Sequence, residues 1–503
     1  MEDAVRKILK DRKHLAAWTA LVLVLLWILW APLVCSANNR FDSERMLCDA
    51  EGVLEQYQSE GRFGLVWLMR LMGLDAWHPV RSGVLFLVFF GLAGLVICLG
   101  LNRMTEGRLN RGCALFLLLY GTCPILAYHL YFTLQIAPVG LAMLLAAGTA
   151  WSDARMITER PASVWQAVLR HAVSLALLVL VMSVYQALIV YYAAVLGIFL
   201  FCDNQSRHRK HGWIRLWITA ARVLLSLAVY ILVSGLGRHA GYHYIQYQVK
   251  WGMEPFLNCL MNIGIEGGKM LVPIHSACLT VFPVAVCMLL YRMFRTKDRG
   301  TVRRQAWLYA VLLLVLPLAM SILVGNRTVP RMQFALPLIA AFLAVFCGAE
   351  AGKRKKLLTV LCCIMIVFQA VLVVRLLHTD NMRNRFDTEI RDRIAADLDG
   401  RGEDGKPVVF IGCLSFEDDS LLMEKQDVYG LSFFEWVYNP ERPGSATPAA
   451  VRLLRTYSGI PYQAVTQNAK MQEAARIASE APAYPADGYI LETDDMIIIK
   501  LSN

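Results

Sequence analysis

The chain has 503 residues, 57% of them hydrophobic and only 18% charged, with a formal net charge of +11. Soluble domains carry more charge and fewer long apolar runs, so this composition describes a polytopic membrane protein. The basic excess is not that of a nucleic-acid binder: His378–Asn503 holds 13 basic against 21 acidic residues, net −8, while the rest of the chain is +19, with the excess in short loops between apolar runs, a topology signal.

The first apolar run, Leu15–Val34, follows Arg6, Lys7, Lys10, Arg12 and Lys13. It is too long for a signal-peptide core and no clear small-residue cleavage site follows it, so it is expected to remain as an anchor. A hydrophilic segment, Ser36–Arg81, comes next and opens with Asp42, Glu44 and Asp49. A carboxylate held at a bilayer surface can take the proton of an attacking hydroxyl while a neighbouring acid positions the acceptor; solvated loop charge is the plainer alternative. Phe63, Val66, Trp67, Leu71 and Leu74 then recur at helical spacing among Arg62, Arg70 and Asp75. That pattern suits a helix lying in the interface, or equally one packed on the spans.

Further apolar cores follow at Gly83–Leu101, Cys113–Phe132, Ile136–Ala150, Ala167–Val184, Ala187–Phe201, Trp213–Leu232, Met270–Met293, Trp307–Gly325, Met332–Cys347 and Leu357–Val374, for about eleven spans in all. Each can cover much of a hydrocarbon core ~30 Å thick. The fifth and sixth are joined only by the polar pair Tyr185-Gln186, which can contact a substrate or simply close a turn. Basic loops at Arg103/Arg108/Arg111, Arg155/Arg160, Arg207/Arg209/Lys210, Arg292–Arg304 and Lys353–Lys356 all fall on the N-terminal side of that count. The positive-inside rule makes that side cytoplasmic and leaves the tail outside. The spans hold almost no Asp or Glu, which argues against a proton- or sodium-coupled transporter. Arg170, His171, Arg222 and His275 are the main polar exceptions.

A second outer loop, residues 235–269, contains Arg238, Tyr244 and Lys250 among further tyrosines and glutamines. Aromatic rings stack on sugar faces and amides bind hydroxyls, although an interfacial aromatic belt has the same composition. Arg62, Arg238 and Arg331 all map to the outer side. A guanidinium is a rigid fork for phosphate oxygens; snorkelling anchors are the alternative. The expected architecture is therefore a transmembrane domain over residues 1–377, with outer loops 36–81 and 235–269, and an extracytoplasmic α/β domain over 378–503. In that tail Thr379–Asp399 reads as a charged helix, Lys406–Cys413 as a buried strand, and Thr447-Pro448 as a helix start. Tyr489–Leu491 and Met496–Leu501 read as a hairpin. The 13 cysteines are scattered, several inside apolar runs, and form neither a zinc pattern nor a disulfide framework. No metal ligand set is expected.

Phe41-Asp42-Ser43-Glu44, then Gly61-Arg62-Phe63-Gly64-Leu65-Val66, Ser183-Val184-Tyr185-Gln186-Ala187 and Val329-Pro330-Arg331 together resemble the bacterial type II O-antigen glucosyltransferase family. Members often pair two acids where this chain has Asp42-Ser43, with Glu44 next. The resemblance covers most of the membrane portion and little of the tail. It implies a GT-C architecture in the bacterial inner membrane and inverting transfer of a hexose, glucose above all, from a polyprenyl-phosphate donor to a surface glycan. Asp42 would be the base and Glu44 its helper. Arg62, Arg331 and Arg238 would hold the donor phosphate, with Asp49, Tyr185, Gln186, Tyr244 and Lys250 as substrate contacts. A monophosphate donor requires no bridging metal, although a divalent metal is compatible with it. A flippase or transporter for a lipid-linked saccharide, or a non-catalytic membrane assembly protein, are the competing classes.

Overall fold

The computed structural model describes residues 17, 20–36, 38, 40–109, 112–159, 163–236, 248–269, 286–291, 293–294, 300–350, 355–398, 406–425, 427–458 and 462–502. Arg238, Tyr244 and most of the expected Met270–Met293 span lie outside them.

In chain order the apolar helix α1 (Ala20–Val34) leads to α2 (Ser43–Cys48), α3 (Ala50–Ser59) and α4 (Phe63–Leu71). The long helices follow: α5 (Pro79–Met104), the pair α6 (Gly112–Gly121) and α7 (Ile125–Tyr131), α8 (Ile136–Thr158), α9 (Val164–Val184), α10 (Leu188–Arg207) and α11 (Trp213–Leu236). Then come α12 (Phe256–Lys269), α13 (Gly300–Val315), α14 (Ala319–Val324), α15 (Ala335–Glu350) and α16 (Lys355–Leu398). Local chemistry sets several ends. Pro79 opens α5, where its missing N–H costs nothing. Ser163 caps α9 by accepting from Gln166 N at 3.2 Å. Pro124 separates α6 from α7, whose axes differ by 55°.

Seven described helices are long and apolar enough to cross a membrane, eight if α6 and α7 form one broken span. α1 and α15 are shorter apolar helices. The expected start at Met332 shifts to Ala335, because Pro330–Met332 forms a 3-10 turn instead.

The chain divides into two compact units: the described residues up to Ser36 with Leu54–Val373, and those of 37–53 with Val374–Asn503. In the first, α8 packs on α5, α9 and α10. Its buried Gly140, Ala142, Ala146, Ala147, Ala150 and Ala154 let those helices approach closely. α4 packs on α9 through Gly64, where an added Cβ would lie 2.0 Å from Ser183 Oγ. The apolar stripe read from the sequence is thus divided: Val66 and Leu74 are buried, whereas Trp67 and Leu71 are exposed.

The second unit has a three-stranded sheet ordered β1-β3-β2 (β1 Val408–Ile411, β2 Ile490–Glu492, β3 Ile497–Lys500). β1 runs parallel to β3, and β2 and β3 form the antiparallel hairpin. Helices α17 (Thr447–Ser458) and α18 (Asn468–Ile477) complete it. Met471, Ala474 and Ala478 pack on Val409, Ile411 and Ile498. The Thr447 hydroxyl accepts from Phe410 N at 2.9 Å and so ties the start of α17 to β1.

Candidate functional site

Asp42, Glu44 and Asp49 belong to the second unit. Phe41 anchors them: its ring stacks on Trp436 at 4.1 Å and meets the edge of Phe433 at 4.9 Å. Beside it the fully buried Arg383 bridges Asp380 (2.6 Å) and Asp387 (3.0 Å), and Arg40 reaches Asp380 at 3.5 Å. This charge network is paired and dry, the condition under which buried ions are tolerated. It fixes the backbone that presents the acids.

Their surroundings differ. Asp42 precedes α2 in a left-handed conformation, φ 72° and ψ −14°. Its carboxylate is 26% exposed and lies 3.9 Å from Arg45. Glu44 has no exposure and pairs with Arg452 of α17 at 3.2 Å. Burial pushes its carboxyl up to about 7; the Asp42 charge adds to that rise and Arg452 opposes it. Asp49 accepts from Gly52 N at 2.9 Å, a cap at the start of α3.

The arginines lie in the first unit. Between α3 and α4 the chain turns through Gly61, φ +78°, a conformation glycine adopts without a Cβ penalty. The turn sets Arg62 against Glu60 (3.2 Å) and Gln135 (3.0 Å). The Arg62 guanidinium also sits 5.1 Å from the centre of the Tyr185 ring, within cation–π range. Gln186 donates to the Glu60 carbonyl (3.2 Å) and to the Tyr230 hydroxyl (2.8 Å), closing the α9–α10 turn onto the same corner. Arg331, on the Pro330–Met332 turn, lies over the Phe132 ring at 4.4 Å. Gln135, Tyr185, Phe132 and Arg331 line one cleft, together with His129 and Phe334, whose rings stack at 4.1 Å.

The structure thus brings Arg62, Arg331, Tyr185 and Gln186 to one corner of the first unit. Each of the two guanidiniums faces an aromatic ring, Arg62 that of Tyr185 and Arg331 that of Phe132, and a guanidinium is a group that can receive phosphate oxygens. Lys250 pairs with Glu254 at 3.3 Å, and its backbone N–H donates to Val324 O at 2.7 Å. Three residues of this environment had not been singled out from sequence: Glu60, Gln135 and Glu266, the last accepting from Thr328 Oγ1 (2.9 Å) and Gln333 Nε2 (3.0 Å) on either side of the Arg331 turn. Glu60 carried a usable signal, since it directly precedes the Gly61-Arg62 turn; Gln135 and Glu266 carried none. Among the described residues no group of three or more His, Cys, Asp or Glu side chains is placed to hold a metal ion.

A family model described as Glucosyl transferase GtrII matches residues 31–348. That span contains the loop acids and both arginines and ends before the α/β tail. Neither curated proteins nor solved structures gave a match.

Proposed function

The chain belongs to the GtrII glucosyl transferase family, and from that membership we propose that it moves glucose, or a closely related hexose, from a polyprenyl-phosphate donor to a surface glycan at the outer face of a bacterial inner membrane. The observation that carries this reading is the cleft lined by Arg331, Gln135 and Tyr185, the last two of which Arg62 contacts from beside it, inside the stretch that matches the family. In this proposal Arg331 meets the phosphate from the cleft, Arg62 does so from beside it with Glu60 as its ion-pair partner, and the aromatic faces meet a sugar or an isoprenoid.

In the proposed reaction an acceptor hydroxyl oxygen attacks the anomeric carbon from the side opposite the phosphate. The new glycosidic bond forms as the carbon–oxygen bond to phosphate breaks, with inversion. The hydroxyl proton passes to Asp42, and the electron pair leaves on the polyprenyl phosphate. Charge grows on that phosphate in the transition state, so Arg62 and Arg331 stabilise it there more than in the ground state. Asp42 is the proposed base because its carboxylate is partly open and its backbone is strained, a combination found at functional positions. Glu44 would help indirectly, by holding α2 to α17 through Arg452. Asp49, Tyr185, Gln186 and Lys250 remain proposed substrate contacts, as do Arg238 and Tyr244 of the second outer loop. The proposed topology has an N-terminus in the cytoplasm, eleven spans of GT-C type, and the α/β tail outside.

Mass spectrometry of surface glycans tests this. Cells that make the chain should add one hexose per acceptor unit, and cells making Asp42→Asn at equal membrane levels should add none. Glycans identical with and without the chain would rule the reading out.

A further inference from the structure

Glu266 of α12 is 5% exposed. Its Oε1 accepts from Thr328 Oγ1 at 2.9 Å and from Gln333 Nε2 at 3.0 Å, and Gln333 Nε2 also donates to Thr328 Oγ1 at 2.8 Å. One turn earlier on the same helix, Asn262 Oδ1 accepts from Arg327 Nε at 3.3 Å. Positions four apart lie on one helix face, so α12 holds this loop along a single polar edge.

Thr328 and Gln333 flank the turn that carries Arg331. The turn itself is closed by Met332 N to Val329 O (2.9 Å) and Gln333 N to Pro330 O (3.0 Å). A single 3-10 turn is a weak element on its own. Here both of its feet converge on one side-chain oxygen, Glu266 Oε1, so a single acceptor holds the two ends of the turn. The direction of the Arg331 side chain follows from the turn's backbone, and that direction decides whether the guanidinium reaches the cleft.

We propose that Glu266 is a positioning residue for Arg331, clamping both feet of its turn so that the guanidinium is held over Phe132 at the cleft. The link to donor binding rests on the reading of Arg331 as a phosphate ligand; the clamp itself does not. The two are tested separately on the purified full-length chain.

The clamp is read by peptide-mapped phenylglyoxal modification of Arg331. The expected result is a several-fold faster reaction in Glu266→Ala, and a wild-type rate in Glu266→Gln, whose amide oxygen still accepts from both donors. An unchanged rate in Glu266→Ala overturns the proposal, whatever the donor does. Donor binding is read with undecaprenyl-phosphate glucose in detergent micelles. Glu266→Ala should weaken it by about tenfold, and Glu266→Ala/Arg331→Ala should bind no worse than Arg331→Ala alone, because one residue acts through the other. Losses that multiply in the double variant also overturn the proposal. Wild-type donor binding by Arg331→Ala, with modification of that arginine in Glu266→Ala still accelerated, would leave the clamp standing and remove the phosphate reading.

Discussion

Asp42 immediately precedes the short helix α2 and Glu44 lies in its first turn, and of the two Glu44 is the one sealed from solvent. Burial lifts the Glu44 carboxyl from 4.5 to about 7, so the folded chain holds this proton over a range where the unfolded chain has released it. Stability therefore falls as pH rises through that window and levels off above it, a swing of about 3 kcal/mol at most. Glu44→Gln has no proton to lose. Its melting temperature should match wild type near pH 4 and exceed it increasingly between pH 5 and 7.5, as followed by thermal unfolding in detergent. A constant offset across that range would show that Glu44 does not titrate there. The position of an acid after the first anchor was legible in the sequence. Which acid is exposed was not, because Arg452 lies 408 residues from Glu44 along the chain.

Among the elements, the contact of α4 with α9 joins two motifs that the sequence displayed separately. Gly64 and Ser183 face each other so closely that a Cβ on Gly64 would meet Ser183 Oγ at 2.0 Å and Leu180 Cδ1 at 3.2 Å. Gly64→Ala should cost about 1–3 kcal/mol of stability. Ser183→Ala in the same chain should recover most of that loss, since the two changes share one contact; thermal unfolding of the three variants measures it. Gly61→Ala should destabilise independently of Ser183, because that glycine has φ +78° and its Cβ would lie 2.9 Å from Tyr230 Oη. The hairpin, the start of α17 and the first tail strand were all readable from turn chemistry and alternation, which are local signals. The corner uniting Arg62, Gln135 and Tyr185 was not, since Gln135 occupies an unremarked bend between two apolar helices.

At the scale of the molecule, the first unit contains a polar cross-link that the expected spans concealed. Asp153 is fully buried and accepts from Ser174 Oγ at 2.9 Å, from the Tyr192 hydroxyl, and from Arg222 Nη1 at 2.8 Å. Four helices, α8 to α11, meet at this one carboxylate. The sequence reading closed the fourth span at Ala150, whereas α8 runs on to Thr158 and carries Asp153 inside the packed bundle. Hydrophobic runs mark where lipid could be, but packing decides how far a helix continues. Asp153→Ala leaves Arg222 without this charge partner and should cost about 3–5 kcal/mol, while replacing both residues with leucine should be far milder; melting temperatures of the reconstituted variants distinguish the two outcomes. The most direct test of the whole account is glucose transfer from undecaprenyl-phosphate glucose to an acceptor glycan by the reconstituted chain. Wild type should transfer and Asp42→Asn should bind the donor without transferring; wild-type turnover by Asp42→Asn would contradict the account.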